Sequence, residues 1–289
     1  MGLTVFTILR DTFRRFNDDK CWNASIIISY FAFLCSVPIV SLFVYVTTKI
    51  VGTSEFALRS LNLFSDEFFA NLDPSFFEKL QGTFESISSL GWFGLIGTLI
   101  SASFLFSNLI HSINVIFRAK YEKSFVYNRL IEYSIMFAMG VIILISLAIT
   151  ALWAALQRAI QESTFIATHL NPRFIALVDN FFIQYLLPLA LTFLGLFTLY
   201  KFIPEVKVHT RCAALAAFVG AVLWEGFKRI FAIYVAHFSA IGIVLSRLVQ
   251  GTLTSIIFFL LWISTSLVIM LWGAELAAVL NERRHAQNA

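Results

Sequence analysis

Charge is what this sequence has least of: Asp, Glu, Lys and Arg make up 13% of its 289 residues, against about a quarter in an average soluble domain. A soluble globule of this length needs a mostly polar exterior over its core, so the shortage excludes an ordinary water-soluble domain. Cysteine is scarce too. Cys21, Cys35 and Cys212 are too few and too scattered for a disulfide framework or a zinc site, and they read as packing residues. The first twenty residues carry Arg10, Asp11, Arg14, Arg15, Asp18, Asp19 and Lys20 and lack both an uninterrupted apolar core and a small-residue cleavage site, which argues against a cleaved signal peptide. Gly91, Gly94 and Gly97 follow no strand and precede no P-loop lysine, so they mark close helix contacts rather than a phosphate loop. The net charge of +4 is spread along the chain and describes no nucleic-acid-binding face. No cofactor or metal is expected.

What the chain has in abundance is apolar length: 59% of it is hydrophobic and 16% aromatic. Crossing a bilayer core takes roughly 20 apolar residues. Charge-free stretches of that length occur at 21–48, 86–117, 133–157, 180–200 and 248–274. A sixth, 212–224, meets Glu225, Lys228 and Arg229 before apolar character resumes, and it reads as one helix with charges inside it. The expectation is a single all-α integral membrane domain. About six transmembrane helices, near 22–48, 91–117, 133–157, 180–201, 212–238 and 249–276, are joined by amphipathic interfacial helices.

Orientation follows from basic residues in the connections. One side carries thirteen (Arg10, Arg14, Arg15, Lys20, Arg118, Lys120, Lys123, Arg129, Lys201, Lys207, Arg211, Arg283, Arg284) and the other six (Lys49, Arg59, Lys79, Arg158, Arg173, Arg247). The richer side is expected in the cytoplasm with both termini, beside anionic lipid. The arm 1–20 sets Leu3, Phe6, Leu9, Phe13 and Phe16 at helical spacing against its arginines, the pattern of a helix lying in the interface. The outer connection 51–90 repeats that theme, with Asp73-Pro74 opening a second amphipathic helix, and a third candidate is 159–178.

An ionised side chain at membrane depth costs a few kcal/mol, so it faces a partner, water or a substrate path. Glu225 and Arg229 are four apart and share a helix face, with Lys228 close by. Either Glu225 only neutralises its basic neighbours to permit insertion, or it handles substrate or protons, or Lys228 and Arg229 simply snorkel to the outer surface. Pro38 and Pro188 are the prolines inside spans, where each frees a carbonyl and kinks the helix, and Pro188, like Glu275, is a structural or gating candidate. They open the two three-helix halves, as an inverted repeat of a transporter would require. In the second span Ser107, Asn108, His111, Ser112 and Asn114 form a polar patch, either interhelical glue or, through His111, a proton relay. Glu275 ends the sixth span and is expected to pair with Arg211, Lys207 or an arm arginine. The small residues of 213–221 let a neighbouring helix approach closely.

Several of these segments together resemble one family. They are SYFAFLCSVPIVSLF at 29–43, LIHSINVIFRAKYEKSF at 109–125, LYKFIPEVKVHTR at 199–211, LWEGFKRIFAIYV at 223–235, and Trp262 followed by GAEL at 273–276. In this order, over nearly the whole chain, they resemble the YihY/BrkB family of bacterial inner-membrane proteins. The resemblance places the family pattern on Tyr30, Ser36, Pro38, Asn114, Tyr200, Pro204, Trp224, Glu225, Lys228, Tyr234, Gly273, Ala274 and Glu275. Where relatives show Tyr-Gly before the sixth span this chain has Ile241-Gly242, so that tyrosine has no counterpart here. Members carry discordant labels: ribonuclease BN, serum-resistance factor, and transporter or lipid-precursor flippase. Ribonuclease chemistry needs clustered acids with a metal, or a His pair. The acids outside the spans are instead scattered at Asp11, Asp18, Asp19, Glu122, Glu132, Glu205 and Glu282.

The expected function is therefore not enzymatic. It is movement of a small or lipid-linked, anionic compound across the inner membrane through a path that includes Glu225, Lys228, Arg229, Tyr30, Pro38, Asn114, His111 and Tyr234. The alternative is an envelope scaffold that organises partners through its interfacial helices. Membrane lipids are the expected partners, nucleic acid is not, and a homo-oligomer is compatible with the sequence.

Overall fold

A chain in hydrocarbon must satisfy its backbone amides internally, which leaves helices as the economical solution for apolar segments of this length. In the computed structural model the described residues, 2–51, 92–119, 185–238 and 252–288 with scattered positions between 130 and 149, are helical apart from short connections. Six helices carry them: α1 (Gly2–Asp18), α2 (Cys21–Val51), α3 (Trp92–Ile116), α4 (Leu187–Phe202), α5 (Thr210–Phe238) and α6 (Thr252–Asn288). No strand occurs among the described residues. Helices α2 to α6 fall on five of the six expected spans, and the isolated described positions within 133–157 are helical. The connection 51–90, beyond Val51 itself, and the segment 159–178 lie outside the described residues.

Among the described residues, α6 is the helix long and apolar enough to cross a membrane, through Ile256–Ala286. Shorter apolar stretches are Cys21–Ser36, Ala102–Ile116 and Leu187–Phe202. Exposure on these helices runs opposite to that of a soluble bundle. On α2 the outward residues are Ile26, Ile27, Tyr30 and Leu34, and the buried ones include Ser25 and Ser29. Those hydroxyls bond back to the carbonyls of Trp22 and Ile26, at 2.7 and 2.8 Å, so they enter the apolar interior already satisfied. Ile96, Ile100 and Phe104 are exposed on α3 and Leu215, Phe218, Val222, Ile230 and Ile233 on α5, whereas Asn114, Ser266, Glu275 and Asn281 are buried. Large apolar residues outside, with a few polar ones set among an apolar interior, fit lipid as the surrounding solvent.

Helix ends are closed locally. The last turn of α3 finishes with the Arg118 amide bonded to the Val115 carbonyl and the Ala119 amide to the Asn114 carbonyl, at 2.9 and 3.0 Å. That paired arrangement requires a left-handed residue, and Arg118 supplies it at φ 54°. Lys20, at φ 52°, turns the chain between α1 and α2. At the other end of its span, α4 begins with Pro188 in its first turn, preceded by a wide turn at Tyr185 and Leu186. A proline in that turn lacks the amide that would continue the ladder from upstream. Pro38 behaves differently: α2 runs through it without a break.

Two expectations need correction. Glu275 does not end a helix, because α6 continues for three further turns to Asn288. Counting apolar residues finds where a helix leaves the lipid, but Ala277, Ala278, Leu280, Glu282, Arg283 and Arg284 are good helix formers and carry the helix onward. The apolar stripe of α1 is also divided. Phe6, Leu9 and Phe13 are exposed, whereas Phe16 is buried beside Thr12 and meets the Trp22 ring edge-on at 5.3 Å.

The described residues form two compact units. One draws on Met1–Leu9, Ile113–Glu225 and Gly273–Ala289, the other on Arg10–Ser112 and Gly226–Trp272.

Candidate functional site

In the first unit, three elements converge on the connection between α4 and α5. Asn114, buried at the end of α3, accepts the Glu205 amide on its Oδ1 at 3.0 Å. Asn281, buried on α6, accepts the His209 amide at 2.9 Å and donates its Nδ2 to the Lys207 carbonyl at 3.3 Å. Lys201 donates to the Val208 carbonyl. Amides and a carbonyl of a short, partly buried loop are thus answered by two uncharged side chains from other helices. Ile203 and Val208 of the same connection are buried.

Under that connection lies Tyr200, fully buried. A Cβ built on Gly273 would stand 3.0 Å from its Cζ, with the hydroxyl nearer still, and one built on Gly220 would stand 3.5 Å from that hydroxyl. Both glycines are therefore space for a tyrosine ring. Glu275, two residues beyond Gly273, is completely buried. The motif residues Asn114, Tyr200, Gly273 and Glu275 accordingly all belong to this unit.

The charged turn of α5 has its own geometry. The helix is unbroken from Thr210 to Phe238, and at 1.5 Å per residue Glu225 stands about 22 Å from its start, near its middle. Ala213, Ala216, Ala217, Gly220, Ala221 and Phe231 mark the buried face, and Leu215, Phe218, Val222, Gly226 and Ile233 the exposed one. Lys228, half-buried, lies four residues after Trp224 and three before Phe231, on the buried side. Arg229 falls on the exposed stripe, and half-buried Glu225 sits at the border with its Oε1 covered. A long arginine on the outer stripe can carry its guanidinium along the helix to water, whereas Lys228 starts from the packed side.

In the second unit, Phe227 and Phe231 of α5 pack on Trp262 of α6 at ring-centroid distances of 5.0 and 4.9 Å. Half-buried Tyr234 extends this group, 6.5 Å from Phe231. Tyr30 is 56% exposed, on the outward face of α2, and His111 is exposed on α3. The candidate residues thus divide. Glu225, Asn114, Pro188 and Glu275 belong to the first unit, and Lys228, Arg229, Tyr30, Pro38, His111 and Tyr234 to the second. Among the described residues no three His, Cys, Asp or Glu side chains gather closely enough to hold a metal ion.

Sequence reasoning passed over Asn281 and His209. Asn281 sits in the polar run Asn-Glu-Arg-Arg-His, which reads as a solvated tail, and its partners lie more than seventy residues away. His209 and His285 bring their rings to 5.0 Å, a pairing no local spacing announces.

Helical apart from short connections among the described residues, and apolar on its outward faces, the chain has the features of a helical membrane protein. Its sequence matches the family model described as Virulence factor BrkB over residues 12–289. The chain belongs to that family. It is 27% identical over 225 residues to the UPF0761 membrane protein YihY of Salmonella typhimurium, covering 76% of this chain and 71% of that one. Against a UPF0761 membrane protein of Pseudoalteromonas atlantica the identity is 25% over 270 residues, covering 90% and 81%. No solved structure matches.

Proposed function

We propose that this membrane protein moves an anionic compound, small or lipid-linked, across the bacterial inner membrane, and that it is not an enzyme. Six crossings with both termini cytoplasmic are part of the same reading, supported by the thirteen-to-six distribution of basic residues. The observation that carries the proposal is the charged turn at the middle of an unbroken apolar helix, with Lys228 on the inward side and Glu225 at its border. An inward cation at that depth is costly without a function or a partner, and it is the group an anionic substrate would meet. Glu225 would neutralise it between passages or carry its proton.

A transporter needs a polar path to the middle of the membrane, whereas a scaffold packs dry around the same residues. In a variant with Cys21, Cys35 and Cys212 replaced by alanine, Glu225→Cys should react with a water-soluble maleimide in intact membranes. A cysteine at the neighbouring position, Val222→Cys on the lipid-facing stripe, should not. An unreactive cysteine at 225 in a folded protein favours the scaffold.

A further inference from the structure

The connection between α4 and α5 gathers positive charge as well as hydrogen bonds. Asn281, Arg284 and His285 are related by three and four residues on α6 and so share a face. Asn281 fixes that face by holding the His209 amide and the Lys207 carbonyl. The His209 and His285 rings then lie 5.0 Å apart at a tilt of 44°. Lys201 reaches the carbonyl of Val208, next to His209. Lys207 and Arg211 stand exposed on either flank, and Arg284, His285 and His209 all keep access to solvent. The clamp that draws these basic groups together is an uncharged asparagine, which itself brings no countercharge.

We propose that Lys201, His209, Arg284 and His285 form a binding site for a phosphate-bearing anion. Guanidinium, ammonium and imidazole groups gather there, and phosphate oxygens accept charge-assisted hydrogen bonds from such donors strongly. Lys201, Arg284 and His285 stand in the last turns of α4 and α6 and His209 in the connection after α4, where a lipid headgroup or a soluble phosphate compound can both reach them. It goes beyond the transport reading, because no residue of the charged turn in α5 takes part and either can fail alone.

The electrostatics agree with the placement. The imidazole of His209 titrates below its ordinary range, first through desolvation and then through the charges of Arg284, His285 and Lys201. A bound phosphate reverses the charge effect, so His209 should titrate higher when the site is filled.

The test uses the full chain in nanodiscs of phosphatidylcholine. Either phosphatidylglycerol is added to the bilayer, or inorganic phosphate to the buffer, with chloride at equal ionic strength as control. Thermal stability and the His209 titration followed by NMR are the readouts. We expect an anion-dependent rise in both, and an affinity about tenfold weaker in Arg284→Gln, retained in Arg284→Lys. Should Arg284→Gln fold poorly, His285→Gln on the exposed side replaces it. A response to phosphatidylglycerol alone assigns a lipid headgroup, and a response to phosphate alone assigns a soluble ligand. Equal shifts with chloride, no shift with either anion, or an undiminished response in Arg284→Gln or His285→Gln overturns the proposal.

Discussion

The ring of Tyr200 occupies the volume that a side chain on Gly273 would need, with its Cζ 3.0 Å and its Cε2 3.3 Å from a Cβ placed there. The ring is fully buried, so it has little room to retreat. Helix propensity alone would favour Gly273→Ala by about 1 kcal/mol. Overpacking a tight site costs about 1–3 kcal/mol and should win. Gly273→Ala should therefore lower the melting temperature in detergent, and combining it with Tyr200→Phe should recover part of the loss. Gly220→Ala should cost less, because its nearest neighbour at 3.0 Å is the mobile Cδ1 of Leu196. A neutral or stabilised Gly273→Ala contradicts the packing described.

Asn281 serves two backbone groups and Asn114 one. Stranding a buried backbone group costs about 1–3 kcal/mol. Asn281→Ala should then destabilise more than Asn114→Ala. Asn281→Asp keeps the acceptor for His209 but loses the donor to Lys207, and it should fall between wild type and Asn281→Ala. Thermal melts of the three variants decide the order.

His209 gives a pH dependence with a definite sign. Its imidazole titrates lower in the folded protein than in the unfolded chain. Between those two values the unfolded chain binds more protons, so stability falls as pH drops from the ordinary imidazole value of about 6.5 toward the depressed one. His209→Gln should flatten that decline in phosphate-free phosphatidylcholine nanodiscs. A decline of unchanged steepness would show that other groups carry it.

Topology is tested from the charge count. A cysteine introduced at Ser65 should be labelled by an impermeant reagent added outside the cell, and one at Ser124 should not. The reverse pattern would place the thirteen basic connection residues outside and remove the orientation.

Much of the helical plan was legible because lipid makes a simple demand, a run of apolar residues long enough to cross. The reading of 212–238 as a single helix, charges included, agrees with α5 from Thr210 to Phe238. It was legible because three charges in a helix interior are cheaper than a break that exposes backbone to hydrocarbon. The end of α6 was misplaced because lipid thickness limits the apolar run and not the helix. The small residues Ala213 to Ala221 signalled a close approach, and their burial agrees with it. That Tyr200 would fill the room left by Gly220 and Gly273 was not legible, since the three are brought together only by the packing of separate helices. Asn281 and the His209 and His285 pair were hidden for the same reason.

The α1 arm has Phe6 and Phe13 exposed at 66% and 56% beside exposed Arg10 and Arg14. A contact from Arg283 Nη1 to Thr7 Oγ1 at 3.5 Å ties it to the end of α6. Phe6→Glu combined with Phe13→Glu should weaken assembly in the membrane without preventing insertion of the later helices. Deleting residues 2–16 without loss of stability or function would show the arm dispensable.

The functional account rests on Glu225 and Lys228, and one set of variants tests it most directly. Thermal stability in detergent and complementation of a strain lacking the gene are measured for Glu225→Gln, Lys228→Gln and the pair together. If the two charges serve only to neutralise each other, removing one strands its partner and destabilises the protein, whereas removing both can be nearly neutral. If the pair serves transport, Glu225→Gln yields a folded protein that does not complement, and adding Lys228→Gln fails to restore function. Full complementation by a stable Glu225→Gln protein, or recovery of both folding and function in the double variant, contradicts the account.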